Sequence, residues 1–198
     1  SQVGPQRNSS YTGTGWSRAG YGTGMNEMKG VVFSPVTQVD LSGNTIYDLT
    51  DNETKYPTFW VAVGERDPDF TSNHVICCSY NGSRWDRVTN SANYFSTGGN
   101  AVAFSQRYKQ WIAVGGTTPN TMIYATDPRF IYNSADSTTS SGWRPCTNNN
   151  GDTNLFANAF SITYNEVTDK WIAGGASSGN NTTMAFSSNN GQAGWKNI

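Results

Sequence analysis

The chain has 198 residues, a net charge of −1, and 14% charged against 13% aromatic side chains. So little net charge with so many aromatics excludes a disordered chain, and a nearly neutral surface offers no field for nucleic acid or an anionic membrane. No run approaches the ~18 apolar residues of a membrane helix, and a start at Ser1 with no signal peptide reads as a processed chain, a trimmed one or a fragment.

Residues 1–24 carry "SYTGTGW" at 10–16, whose Ser, Tyr, Gly and Trp recur at identical spacing in "SYNGSRW" at 79–85. The glycines between 13 and 24 sit in a Trp-closed hairpin with no helix after it, so the strand–turn–helix dinucleotide fingerprint is not met. Residues 25–89 begin with the apolar run Val31-Val32-Phe33-Ser34. A long polar loop follows, 36–58, holding Tyr47 and Tyr56. Next comes "FWVAVGE" at 59–65, a strand ended by Gly64, with Glu65 and Asp67 placed at one rim by following it directly. His74 opens a run through Cys77 and Cys78 to the turn Asn81-Gly82, and Trp85 closes the unit.

Residues 90–147 repeat the order: Val102-Ala103-Phe104-Ser105, then "QWIAVGG" at 110–116, then Tyr124-Ala125-Thr126-Asp127, a loop over 129–141 holding Tyr132, and Trp143. Residues 148–198 repeat it again: Asn158-Ala159-Phe160-Ser161, "KWIAGGA" at 170–176, Phe186 to Gly191, and Trp195. Each unit therefore holds four short runs rich in Val, Ile, Phe, Trp and Tyr, separated by turn residues, as strands are. They are too short for helices, and 21 glycines suit the turns. Four strands recurring every fifty to sixty residues or so are the signature of a β-propeller blade. The expected fold is all-β: three complete four-stranded antiparallel blades (25–89, 90–147, 148–198), with the last hairpin of a fourth over 1–24.

Side chains alternate along a strand, so Trp, Ala and Gly of the second run share one face. Small residues there let a neighbouring blade approach, and the intervening Val or Ile fills the other face. Asn81, Asp127 and Asn189 are placed to hydrogen-bond their own backbone in Asx-turns, and Gly82 and Gly191 supply positive φ. The closing Trp covers a large apolar area, and its N–H needs a partner.

The turns "SYNGSRW" at 79–85, "SSNNGQAGW" at 187–195 and the interrupted stretch from Ala125 to Trp143 resemble the Asp-box of sialidase-type propellers, the bacterial neuraminidase repeat. That pattern runs Ser-x-Asp-x-Gly-x-x-Trp. Here Asn stands for Asp in two copies, the spacing to Trp shifts by one, and the middle copy carries an insertion. The resemblance implies blade architecture. Sialidase activity would also require an arginine cluster and a Tyr nucleophile with carboxylate and acid partners. The arginines, from Arg7 to Arg144, are scattered instead over different strand positions and turns.

Other chemistries find few residues. Glycosidases need two facing carboxylates, for which Glu65, Asp67, Asp69 and Glu166 are the visible acids. His74 is the only histidine, too few for a zinc set with Cys77, Cys78 and Cys146. The three cysteines read as small buried residues, with a bond from Cys146 to one of the pair left open. "DPDF" at 67–70 has too few acids for calcium, and no cofactor motif is present. Sequons at Asn8, Asn52, Asn81, Asn180 and Asn181 permit glycosylation.

What remains is loop surface. Polar loops bearing Tyr47, Tyr56 and Tyr132, with the rim acids Glu65 and Asp67, suit carbohydrate or protein contacts. Three blades and a hairpin leave exposed strand edges and faces, so the ring is expected to be part of a larger one or completed by another chain. The expected role is a non-catalytic module for recognition or structural assembly at an extracellular, cell or virion surface. The alternatives are a fragment of a sialidase-like glycoside hydrolase and an assembly factor for a larger complex.

Overall fold

A computed structural model describes residues 25–34, 38–39, 45–46, 60–66, 74–79, 82, 84–116, 119–129, 131, 133, 142–179 and 183–198. The partial unit expected over 1–24 lies outside them, as do all five sequon asparagines. The architecture is all-β, with three four-stranded antiparallel sheets. Sheet 1 is ordered β1 (Met25–Phe33), β4 (Trp60–Arg66), β5 (Ile76–Ser79), β6 (Asp86–Arg87). Sheet 2 is β7 (Gly99–Ser105), β8 (Gln110–Gly115), β9 (Met122–Ala125), β10 (Arg144–Pro145), and sheet 3 is β11 (Asn158–Asn165), β12 (Lys170–Ala176), β13 (Met184–Ser187), β14 (Lys196–Asn197). A two-stranded hairpin, β2 (Gln38–Val39) with β3 (Thr45–Ile46), occupies part of the stretch expected to be plain loop.

The three sheets share one register. Trp60 pairs with Ser79, Trp111 with Ala125 and Trp171 with Ser187, so the three tryptophans are equivalent. Across the first hairpin they face Phe33, Phe104 and Tyr164, with ring centroids 4.7, 4.7 and 4.8 Å apart. This corrects the expected alignment of Phe33, Phe104 and Phe160. The third strand does carry a Phe-Ser pair, but it falls four residues too early, and Phe160 sits in a β-bulge. The hairpin needs an aromatic next to a turn-forming side chain, and Tyr164-Asn165 supplies both. Ser105 Oγ accepts from Tyr108 N, and Asn165 Oδ1 accepts from Val167 N and Thr168 N.

Neighbouring sheets pack face to face, with β7 next to both β1 and β11. Val61, Val63, Ile76 and Cys78 of sheet 1 share a buried cluster with Trp111, Ala113, Ile123 and Ala125 of sheet 2. Ile112, Val114 and Met122, on the other face of sheet 2, do the same with Trp171, Ala173 and Ala185 of sheet 3. Alternation along β8 thus sends Trp and Ala back to the preceding sheet and Val or Ile forward to the next, and β4 and β12 follow it at the one boundary each shares with sheet 2. Polar bonds seal the second boundary: Asn100 Nδ2 donates to Asn158 Oδ1 and to the carbonyl of Ala159, both at 2.8 Å.

The glycine ending each second strand has a different job from the one expected. The first strands bulge at Met28/Gly30, Gly99/Ala101 and Ala159/Ser161. There the backbone presses onto Gly64, Gly115 and Gly175, where an added Cβ would collide with the carbonyl oxygens of Glu27, Gly98 and Asn158. The close approach is within each sheet, and the alanines serve the approach between sheets.

Candidate functional site

The turns between third and fourth strands are built from side chain to backbone bonds. The closing indoles donate to turn carbonyls: Trp85 Nε1 to Gly82 at 3.2 Å, Trp143 Nε1 to Pro128 at 2.8 Å and Trp195 Nε1 to Gly191 at 2.8 Å. Ser79 Oγ accepts from Gly82 N, and Ser187 Oγ from Asn189 N. Asp127 Oδ1 accepts from Arg129 N, as an Asx-turn requires; in sheet 3 the Asx residue is Asn190, which accepts from Gln192 N, rather than Asn189. Asn81 lies outside the described residues. These polar groups are spent on holding the turn.

A cluster of titratable side chains joins the hairpin tips of sheets 2 and 3. Asp169 accepts from Tyr108 Oη at 2.8 and 3.0 Å and from Tyr164 Oη at 2.6 Å, and Arg107 Nε lies 3.4 Å from its Oδ2. Glu166 Oε1 takes the backbone N–H of Gln106 at 2.9 Å. Hydrogen bonds from Tyr164 and Tyr108, in that order, hold the Asp169 carboxyl below the usual aspartate range. Burial first, and the bond to Asp169 second, push Tyr164 up to about 12 and move Tyr108 the same way. Neither phenol is primed as a nucleophile, and the carboxylate is occupied by three donors. The cluster's chemistry is that of a clamp between two hairpins.

Asp169 therefore couples stability to pH. A depressed carboxyl contributes stability that is complete above the unfolded value, near pH 4, and is lost as pH falls through the folded one. Asp169→Asn keeps a residue tolerant of the left-handed backbone found here, φ 54°. It should melt below wild type at pH 7, with the gap closing below about pH 4; a gap constant with pH would refute the clamp. On the alkaline side, Tyr164 contributes stability that is complete below the unfolded tyrosine value, about 10, and is lost as pH rises through about 12.

Of the binding candidates, Glu65 lies at the end of β4 and is ion-paired to Lys29 of its own sheet. Asp67, Tyr47, Tyr56 and Tyr132 lie outside the described residues, as does Asp69. Glu65 and Glu166 are not brought together: the first sits by the bulge of sheet 1, the second in a hairpin at the opposite strand end of sheet 3. Three other described acids are also partnered, Asp127 with Arg129, Asp86 with Arg84 and Asp152 with Asn148. All three cysteines are buried and none is in a disulfide. Burial pushes Cys77 up to about 12 against the opposing pull of Arg87, and raises Cys78 and Cys146, so the thiols stay protonated. Among the described residues no cluster of three His, Cys, Asp or Glu could hold a metal.

One concavity, about 240 Å³ and open on one side, is lined by Asn149, Phe186, Ser188, Asn189, Gly194 and Lys196. Lys170 Nζ stands 5.6 Å from the centre of the Phe186 ring. An aromatic ring framed by amides, a hydroxyl and a cation can meet one sugar ring, though the volume is below the roughly 300–1,000 Å³ usual for a ligand pocket. The sequence reading missed this place because its residues come from the last two strands of sheet 3, the turn between them and the preceding connection.

These geometries define the class: an all-β repeat protein of stacked four-stranded antiparallel sheets. No protein-family model, curated protein or solved structure matches the chain.

Proposed function

We propose that the chain is a non-catalytic β-propeller module, its Asp-box-like sheets set radially as blades, serving recognition or assembly at an extracellular, cell or virion surface. The observation that carries this is the repeated packing: the Trp face of each later sheet lies on the Val/Ile face of the one before, twice, through equivalent positions. Such stacking through one recurring interface is how radial sheets cover one another. The partnered carboxylates, protonated thiols and un-ionised tyrosines support a binding role over hydrolysis. Partners are proteins through the sheet faces and glycans through the Phe186 concavity.

Two measurements test the reading. Small-angle scattering of the monomeric chain should return an arc-shaped envelope with the sheets fanned about one axis; a flat sandwich would sink the radial arrangement. A glycan array, run beside a fluorogenic sialoside panel, should give binding weakened at least tenfold by Phe186→Ala and no hydrolysis. Turnover of any sialoside would replace the module with a hydrolase.

A further inference from the structure

The internal packing rule leaves two faces over. Sheet 1 has no preceding sheet among the described residues, and sheet 3 has no following one. On sheet 1 the Trp face shows it: Trp60 is 36% exposed where its equivalent Trp111 is 1%, and Val31 and Phe33 beside it are exposed. On sheet 3 the opposite face shows it: Met184 is 46% exposed where its equivalents Met122 and Ile76 are buried, and Phe160, at the bulge, is 55% exposed. Isolated exposed apolar side chains are ordinary, but contiguous ones on a sheet mark an interaction surface.

These surfaces are the two halves of the interface already formed twice inside the chain. One is a Trp-bearing face of the kind that packs backward. The other carries Ile172 and Met184 at the positions where Ile112 and Met122 receive Trp171; Phe186 pairs with Ile172 on the same face, so a docked copy and a glycan in the Phe186 concavity exclude each other. We infer that a second copy of this chain docks the Trp60 face of its first sheet on the Ile172–Met184 face of the third sheet, repeating the internal packing between molecules. The contact is heterologous, head to tail, and such contacts form rings when the rotation closes. Two copies contribute six described sheets, and with the partial unit expected over 1–24 in each the ring stays within the range of about four to eight for closed propellers. The inference rests on the radial reading above.

Sedimentation equilibrium of the full chain from about 1 to 100 µM tests it, because a partner that binds only the folded state acts by mass action. The expected species has twice the chain mass of 21.5 kDa. Val31→Glu, on sheet 1, and Met184→Glu, on sheet 3, change exposed side chains and should leave the melting profile of the monomer intact. Each alone should weaken association at least tenfold. Mixed one to one they should restore it, since the mixed pair keeps one unmutated interface. A face that docks on itself would respond to only one variant and show no rescue, which overturns the head-to-tail contact. A wild-type monomer throughout the range overturns the second copy, whether a different chain or further sheets of the same repeat cover these faces. If that monomer still scatters as an arc of three sheets, the radial reading survives; a flat envelope removes both.

Discussion

Replacing Gly191 by Ala should cost about 2–5 kcal/mol, among the largest losses available from adding one carbon. Two effects add. Gly191 holds φ at +79°, where a Cβ costs roughly 1–2 kcal/mol. That Cβ would also stand 2.5 Å from Ile112 Cδ1 and 2.8 Å from Trp171 Nε1, inside the packed boundary of sheets 2 and 3. Overpacking of this kind costs about 1–3 kcal/mol. Gly151 is the internal control: φ is +84°, but nothing lies within 4 Å of a Cβ there. Gly151→Ala should therefore lose only the backbone part, about 1–2 kcal/mol. Urea denaturation of both variants decides the matter. Equal losses would mean the turn alone, and not its seat over Trp171, demands glycine.

Trp111→Ala should cost about 3–5 kcal/mol, the range for a large aromatic deleted from a core. The indole is 1% exposed, packs on Phe104 and fills the boundary with Val61 and Val63 of sheet 1. The same change at the equivalent Trp60 removes a ring that is 36% exposed and packs on Phe33, and should cost about 1–2 kcal/mol in dilute solution. The comparison holds residue type and strand position fixed and varies only whether a preceding sheet lies over the ring. Parity in dilute solution would deny that sheet 1 has an uncovered Trp face. A Trp60→Ala cost that grows with protein concentration would report a second copy covering that face.

The repeat was legible because it is written in residue types that burial and turn geometry restrict. Trp60, Trp111 and Trp171 head strands in one register. The glycines after them survive as glycine because the first-strand bulge leaves no room for a Cβ. Trp85, Trp143 and Trp195 recur because each indole closes a turn by donating to its carbonyl. Where chemistry allowed a substitute, the reading slipped. Tyr164-Asn165 replaces Phe-Ser at the third hairpin, and Phe160, a better textual match, lies at the bulge. The Asx residue falls at Asn190 rather than Asn189, one position further past the third strand than Asp127 stands in sheet 2.

The candidate site was less legible. Asp169 is an ordinary polar turn residue in sequence, and nothing local to it announces Tyr108 of the neighbouring sheet, 61 residues away. Phe186 reads as one more strand aromatic until Asn149 and Lys196 frame it.

By itself, then, the amino-acid sequence determined the strand count of each unit, the repeat and the alternation of large and small residues on opposite faces, because these follow from local periodicity and steric limits on single positions. Only the tertiary structure decided which face of a sheet meets which neighbour, where the bulges fall and which tryptophan stays uncovered. Those depend on the packing of residues far apart in the chain, and side chains of one type are buried or exposed according to what lies across from them.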